Sequence, residues 1–256
     1  MTDALTLRSL RPLVRYVDDE QAVLDAWVTL PLETARRLSE LERDALVTIQ
    51  ITGSDGFFDE AAVTLPAGER QTMHRFQIVE PQRWWPAGLG EQPLYSLTVR
   101  LEAGDDLAPD EHAVAFGLTS VRPADGKAGG DQPAFLVNGQ PVALHSVVTV
   151  DRIDENQLLP ATGDSLLMVT DHYAPELLYQ AADQAGILLL QCVPIDAQAT
   201  PEQTVQAQID RLTPHPSLAG YFVGHLGRLR EQLAKRLKEL DPTRTVFRDL
   251  PGKPAA

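Results

Sequence analysis

Asp171 and His172 are adjacent, and both residue types can move a proton or ligate a metal. His225 follows a later apolar run, and His145 stands beside Ser146 in a β-rich segment. Neighbours on a strand point to opposite faces, so His145 and Ser146 cannot form a nucleophile–base pair by themselves. The spacing of Asp171, His172 and His225 matches no recognised zinc pattern, and no metal site is expected. Together with Gln191, these residues make the candidate ligand-binding set: His145, Asp171, His172, Gln191 and His225. The sharper reading is a pocket for a sugar or a metal; the plainer one is loop and helix-cap residues. There is no Gly-x-Ser-x-Gly, no phosphate loop and no dinucleotide fingerprint, so no cofactor is implied. Cys192, the single cysteine, follows an apolar run and reads as packing; it excludes an internal disulfide and a thiolate cluster.

These residues need elements to hold them. From residue 134 onward, strands alternate with helices: strands over 142–150, 166–170, 187–193, 218–223 and 245–247, helices over 174–185, 201–212 and 226–240. On the first helix Leu177, Leu178, Ala181, Ala182 and Ala185 form the expected buried face. On the last one, Leu226, Leu229, Leu233, Leu237 and Leu240 do so. That alternation implies parallel strands with right-handed crossovers. Asp171, His172 and His225 would then lie at strand C-terminal ends, where barrel enzymes keep their chemistry.

The first half reads differently. Residues 12–16, 22–30, 45–52, 61–65, 70–79, 94–101 and 112–121 are alternating or β-branched runs separated by turn signals such as Asp18-Asp-Glu and Gly53-Ser-Asp-Gly. About seven short strands in roughly a hundred residues predict an immunoglobulin-like sandwich. Residues 32–43 have helical character and interrupt it. The expected organisation is an immunoglobulin-like β-sandwich over 1–122, a linker over 123–133 and a parallel-stranded α/β unit over 134–256, which a resemblance carried by longer motifs makes a partial (β/α) barrel.

Composition bounds the partners. A net charge of −14, concentrated in the first half, argues against nucleic acid and anionic membranes. No apolar run is long enough for a transmembrane helix. The start, Met1-Thr-Asp-Ala-Leu-Thr, has neither a basic nor an apolar signal region, which points to the cytoplasm.

Longer motifs add a resemblance. His215-Pro-Ser-Leu-Ala-Gly-Tyr-Phe-Val-Gly-His-Leu226, Val79-Glu-Pro-Gln-Arg-Trp-Trp-Pro86, Phe116-Gly117, Phe135-Leu-Val-Asn-Gly-Gln-Pro-Val142, Asp171-His-Tyr-Ala-Pro175, Ala182-Asp-Gln-Ala-Gly-Ile187 and Asp241-Pro-Thr-Arg244 occur in one order along the chain. In types and order they resemble glycoside hydrolase family 2, the β-galactosidase, β-glucuronidase and β-mannosidase group. The resemblance implies the family's immunoglobulin-like middle domain followed by the start of its catalytic (β/α)₈ barrel. It also implies that one of Trp84 and Trp85 packs in the sandwich core and the other in the domain junction.

The departures concern chemistry. The resembling motif ends in Gly-Asn-Glu, with Glu as the general acid/base; here Gly224 is followed by His225 and Leu226. The family's polar positions are also altered at Thr119, at His145-Ser146 and at Val169. Its nucleophilic Glu follows barrel strand seven, and about five strands are expected here. A retaining glycosidase needs two carboxylates about 5 Å apart. The chain is therefore expected to be a pseudoenzyme with no catalytic residue, acting by protein association or carbohydrate binding. The alternatives are a glycosidase completed by a partner chain and another hydrolytic activity in a remodelled pocket. Five parallel strands leave open edges, so a homo-oligomer or a partner protein is expected to cover them.

Overall fold

The computed structural model describes residues 5–124, 135–143, 146–150, 165–170, 172–194, 202–224 and 227–249. Strands β1 (Ser9–Val17) and β2 (Gln21–Thr29) pair through a turn in which Asp18 Oδ1 accepts from the backbone of Glu20 and Gln21 at 2.9 and 2.8 Å. Helix α1 (Leu32–Glu40) follows, started by Pro31 and packed inward through Thr34, Ala35 and Leu38. Strands β3 (Ala45–Thr52), β4 (Phe58–Leu65), β5 (Gln71–Val79), β6 (Tyr95–Glu102) and β7 (Asp110–Phe116) complete two sheets, ordered β1-β2-β5 and β4-β3-β6-β7. Alternation sends Ala45, Val47, Ile49 and Ile51 inward from β3 against Leu24, Ala26, Val28 and Phe76 of the facing sheet. The expected sandwich is present, with α1 where the helical interruption was read.

The run expected as one strand over 112–121 is broken. β7 ends at Phe116, and β8 (Val121–Pro123) leaves the sandwich to pair with β9 (Phe135–Val137), which pairs with β10 (Gln140–Val142). The break falls at Gly117, where a Cβ would lie 2.5 Å from Pro216 Cγ of the second half. Only a glycine leaves room for the Pro216 ring this close to the backbone. Asn138 and Gly139 connect β9 to β10 with φ of 50° and 82°, the left-handed pair that an Asn-Gly hairpin turn requires. The linker expected over 123–133 lies almost wholly outside the described residues.

Strands β11 (Ser146–Val150), β12 (Ser165–Val169), β13 (Leu189–Cys192), β14 (Leu218–Phe222) and β15 (Thr245–Phe247) form one parallel sheet in sequence order. Helices α2 (Glu176–Ala185), α3 (Glu202–Leu212) and α4 (Arg228–Leu240) make the crossovers. This is the parallel sheet that alternation of strand and helix implied, and the partial barrel that the family resemblance implied. One face of the sheet packs on the helices through Leu167, Leu189, Ile209, Leu212 and Leu237. The other carries Leu166, Leu188, Leu190 and Ala219 against Trp84, Phe135 and Val137, so the β8–β10 hairpin plugs the interior face. The strand expected over 142–150 is split between β10 and β11.

Two helix faces differ from their expected ones. α2 buries Leu178, Tyr179, Ala182 and Asp183 while Leu177 is 66% exposed; α4 buries Ala234, Leu237 and Leu240 while Leu229 is 66% exposed. Leu226 lies outside the described residues. Trp84 is fully buried at the domain junction, its Nε1 donating to the Asp183 carbonyl at 2.7 Å. Trp85, by contrast, is half-buried in a loop under the Arg83 guanidinium, 5.0 Å away, and does not enter the sandwich core. Among the described residues, no helix is long and apolar enough to cross a membrane.

Candidate functional site

Of the five sequence candidates, His172 and Gln191 fall in described residues; His145, Asp171 and His225 lie outside them, as does Leu226. His172 follows β12 and Gln191 sits on β13, both toward the C-terminal ends of the parallel strands. The structure brings the two together. Gln191 Nε2 donates to the His172 carbonyl at 2.8 Å and to the Cys192 carbonyl at 2.6 Å, and Gln191 Oε1 accepts from the Tyr179 hydroxyl. Gln191 is fully buried, and its amide is occupied at both ends. It clamps the loop after β12 and is not presented to a ligand.

His172 Nδ1 lies 2.6 Å from the Thr170 carbonyl. A carbonyl only accepts, so Nδ1 carries the proton and donates. His172 Nε2 is buried without a hydrogen-bond partner among the described residues, as is the hydroxyl of the next residue, Tyr173. Burial pushes the Tyr173 pKa up to about 12, so it stays a neutral donor. Tyr173 packs against the helix-side core, and its hydroxyl is close enough to Tyr179 and Arg211 to feel their charge.

The more strongly polarised cluster lies at the opposite end of the sheet. Glu176, Tyr179 and Asp183 follow helical spacing i, i+3, i+7 on α2 and so share one face. Across from them, the chain enters β14 through His215, Pro216 and Ser217. His215 Nδ1 is 2.6 Å from Asp183 Oδ2, and its Nε2 is 3.1 Å from Glu176 Oε1. Ser217 donates to Asp183 Oδ1 from its backbone N at 3.1 Å and from its Oγ at 2.5 Å. Arg211 of α3 binds Glu176 Oε2 at 2.9 Å and stacks 5.0 Å over the Tyr179 ring.

Burial alone would lower the His215 pKa, but the hydrogen bonds and charges of Asp183 and Glu176 outweigh it and raise it to about 9. The ring is therefore an imidazolium. Burial would likewise raise the Glu176 pKa, but His215 and Arg211 hold it at about 2. The residue types are those of a Ser–His–Asp triad, but the order is wrong. A triad needs His between Ser and Asp; here Asp183 sits between Ser217 and His215, and the second imidazole nitrogen faces a carboxylate. The cluster joins α2, α3 and the entry to β14 at the strand N-terminal end, where a barrel keeps stability and not chemistry.

A related network holds the next crossover. Fully buried Asp241 accepts from the Tyr221 hydroxyl at 2.9 Å and from Thr243 Oγ1 at 2.7 Å, while Arg244 reaches the His215 carbonyl at 3.1 Å. These pairings tie Asp183, His215, Ser217, Asp241 and Arg244 together at the entries to β14 and β15. Sequence reasoning used these residues only as motif letters. A charged residue on the buried stripe of α2 was the signal that a partner had to exist.

Among the described residues, no group of three or more His, Cys, Asp or Glu is placed to hold a metal. The sequence model of the glycosyl hydrolases family 2 matches residues 17–118, the bulk of the sandwich. An exo-β-D-glucosaminidase of Streptomyces avermitilis is 23% identical over 231 residues, 75% of this chain and 25% of that protein. A β-mannosidase B of Emericella nidulans is 26% identical over 211 residues, 70% of this chain and 24% of that one. This chain thus spans about a quarter of the length of these curated relatives. A family 2 glycosyl hydrolase member from Bacteroides cellulosilyticus superposes with a TM-score of 0.72 at 19% identity, covering 95% of this chain and 36% of that one. The likeness runs through the sandwich, the hairpin and the parallel sheet alike, and the chain is a relative of the family 2 glycosyl hydrolases.

Proposed function

We propose that this chain is a non-catalytic relative of the family 2 glycosyl hydrolases that works by protein association, with carbohydrate as its second ligand class. The observation that carries the reading is Gly224-His225-Leu226, where the resembling motif has Gly-Asn-Glu. A leucine side chain neither gives nor takes a proton. The frame around it is kept, from the buried His215–Asp183 pair to the apolar β14. Association is supported by the parallel sheet, in which β11 and β15 each have one strand neighbour among the described residues. Such edges offer backbone donors and acceptors to another chain. Carbohydrate is supported by the likeness to an exo-β-D-glucosaminidase and a β-mannosidase.

A second reading, a glycosidase completed by a partner chain, draws on the quarter-length span of the relatives. Light scattering after size exclusion, with assays on p-nitrophenyl β-D-glucosaminide and β-mannoside, separates the readings. The expected result is a defined multiple of 28.1 kDa with no turnover above a denatured blank. A monomer would remove self-association. Turnover abolished by replacing Asp171, His172 and His225 would overturn the non-catalytic reading, and turnover gained on adding a partner chain would establish the second one.

A further inference from the structure

Between the outer face of the β1-β2-β5 sheet and helices α3 and α4 lies a cleft of about 670 Å³, away from the strand C-terminal ends. Strand alternation builds its sandwich wall: Arg11, Leu13 and Arg15 face outward from β1, and Trp27 lies opposite Arg11 in the β1–β2 register. Five arginines line the cleft, Arg8, Arg11, Arg15, Arg70 and Arg236, against three carboxylates, Glu69, Asp210 and Glu239. A positive excess in one cleft of a chain carrying −14 is a local departure from the overall field.

The arginines divide by partner. Arg15 is 2.7 Å from Asp25, and Arg11 is 3.2 Å from Asp210 and also donates to the Leu240 carbonyl. Arg8 and Arg70 have no side-chain hydrogen bond or ion pair among the described residues. Arg70 Nε and Trp27 Nε1 are, in addition, buried without an acceptor. Every one of these groups is a donor, and what they lack is an acceptor.

We propose that this cleft binds a small oxyanion, a phosphate or a carboxylate carried on a polar body, through the guanidinium groups of Arg8 and Arg70. Guanidinium presents a planar fork that matches either group in two parallel bonds. The cleft volume is that of a small-molecule site, and Trp27 and Leu13 supply an apolar wall beside the charges. Arg8 and Arg70 belong to the sandwich, whereas Gln206 and Arg236 come from α3 and α4. A bound anion therefore sits where the two halves meet and stabilises the folded chain by mass action. The inference is independent of whether the barrel end catalyses anything.

The test uses the full chain. Melting temperature is followed while sodium phosphate or sodium citrate is titrated against sodium chloride at equal ionic strength, with dissociation constants from calorimetry. The expected result is a saturable rise with one oxyanion beyond the chloride control; phosphate assigns the tetrahedral group and citrate the carboxylate. Arg8→Gln with Arg70→Gln weakens binding by about tenfold or more, as loss of charge-assisted bonds does. Arg8→Gln alone, at an exposed residue, weakens it partly and keeps the test open if the double variant folds poorly. Arg100→Gln, on the far sheet, leaves binding unchanged. A rise no larger than that in chloride, or unchanged affinity in the double variant, would overturn the proposal.

Discussion

Replacing Asp183 by Asn tests whether the buried His215 is an imidazolium that ties α2 to β14. The His215 side chain is 5% exposed, with carboxylate oxygens at 2.6 and 3.1 Å. Its pKa of about 9 in the fold, against 6.5 for a free imidazole, corresponds to about 3 kcal/mol at roughly 1.4 kcal/mol per pH unit. Because the folded value is the higher one, this contribution is complete below 6.5 and is lost as pH rises through 9. Urea unfolding should show the unmodified chain losing about 3 kcal/mol between about pH 6 and about pH 9.5. Asp183→Asn keeps an acceptor for Ser217 but removes the charge. It should cost about 3 kcal/mol at about pH 6, as breaking a buried pair does, and flatten the slope. An imidazole proton of His215 that titrates near 6.5 by NMR would refute the reasoning. So would an unchanged slope in the variant.

Other expectations follow from single contacts. The folded Glu176 pKa of about 2 lies below its ordinary 4.5, so its contribution is present above 4.5 and fades as pH falls through 2. Its side chain is 42% exposed, so solvent screening makes this acid limb shallower than the alkaline one in the same urea series. Gly186 ends α2 with φ of 68°, and a Cβ there would meet the Ala87 backbone N at 2.5 Å. Gly186→Ala should therefore lower stability by about 1–3 kcal/mol or more through overpacking and strain, read as a fall in melting temperature. Leu237→Ala should cost about 2–5 kcal/mol, whereas Leu229→Glu, about two turns back on the same helix at 66% exposure, should stay within about 0.5 kcal/mol in chemical denaturation.

Much of the architecture was legible because it rests on local periodicity. Alternation marked β3 and β15 at their observed ends, and Asn138-Gly139 announced its hairpin because few other pairs adopt two consecutive left-handed residues. Strand ends at Gly117 and near residue 143 were not legible. Both runs keep β-type residues, and only the approach of Pro216 and the branching of the chain from one sheet to another end them. The faces of α2 and α4 misled for a related reason. A leucine every three or four residues supports more than one rotation of a helix, and the neighbouring sheet chooses between them. Leu177 and Leu229 lost to Tyr179, Asp183 and Ala234, which face the sheet.

At the candidate site, residue types were visible and partnerships were not. Gln191 could be named from the sequence, but its two occupied ends depend on Tyr179 and on the His172 carbonyl. The sequence by itself determined the order of strands and helices, the acidic balance and the residue types at Gly224-His225-Leu226, because these are properties of composition and local spacing. Tertiary structure alone decided that Asp183, His215, Ser217 and Glu176 share one buried cluster, and that arginines from the sandwich and from α4 line one cleft. Hydrogen bonds and charge pairs act over a few ångströms in space, and segments far apart along the chain come within that range only once the sheets have packed.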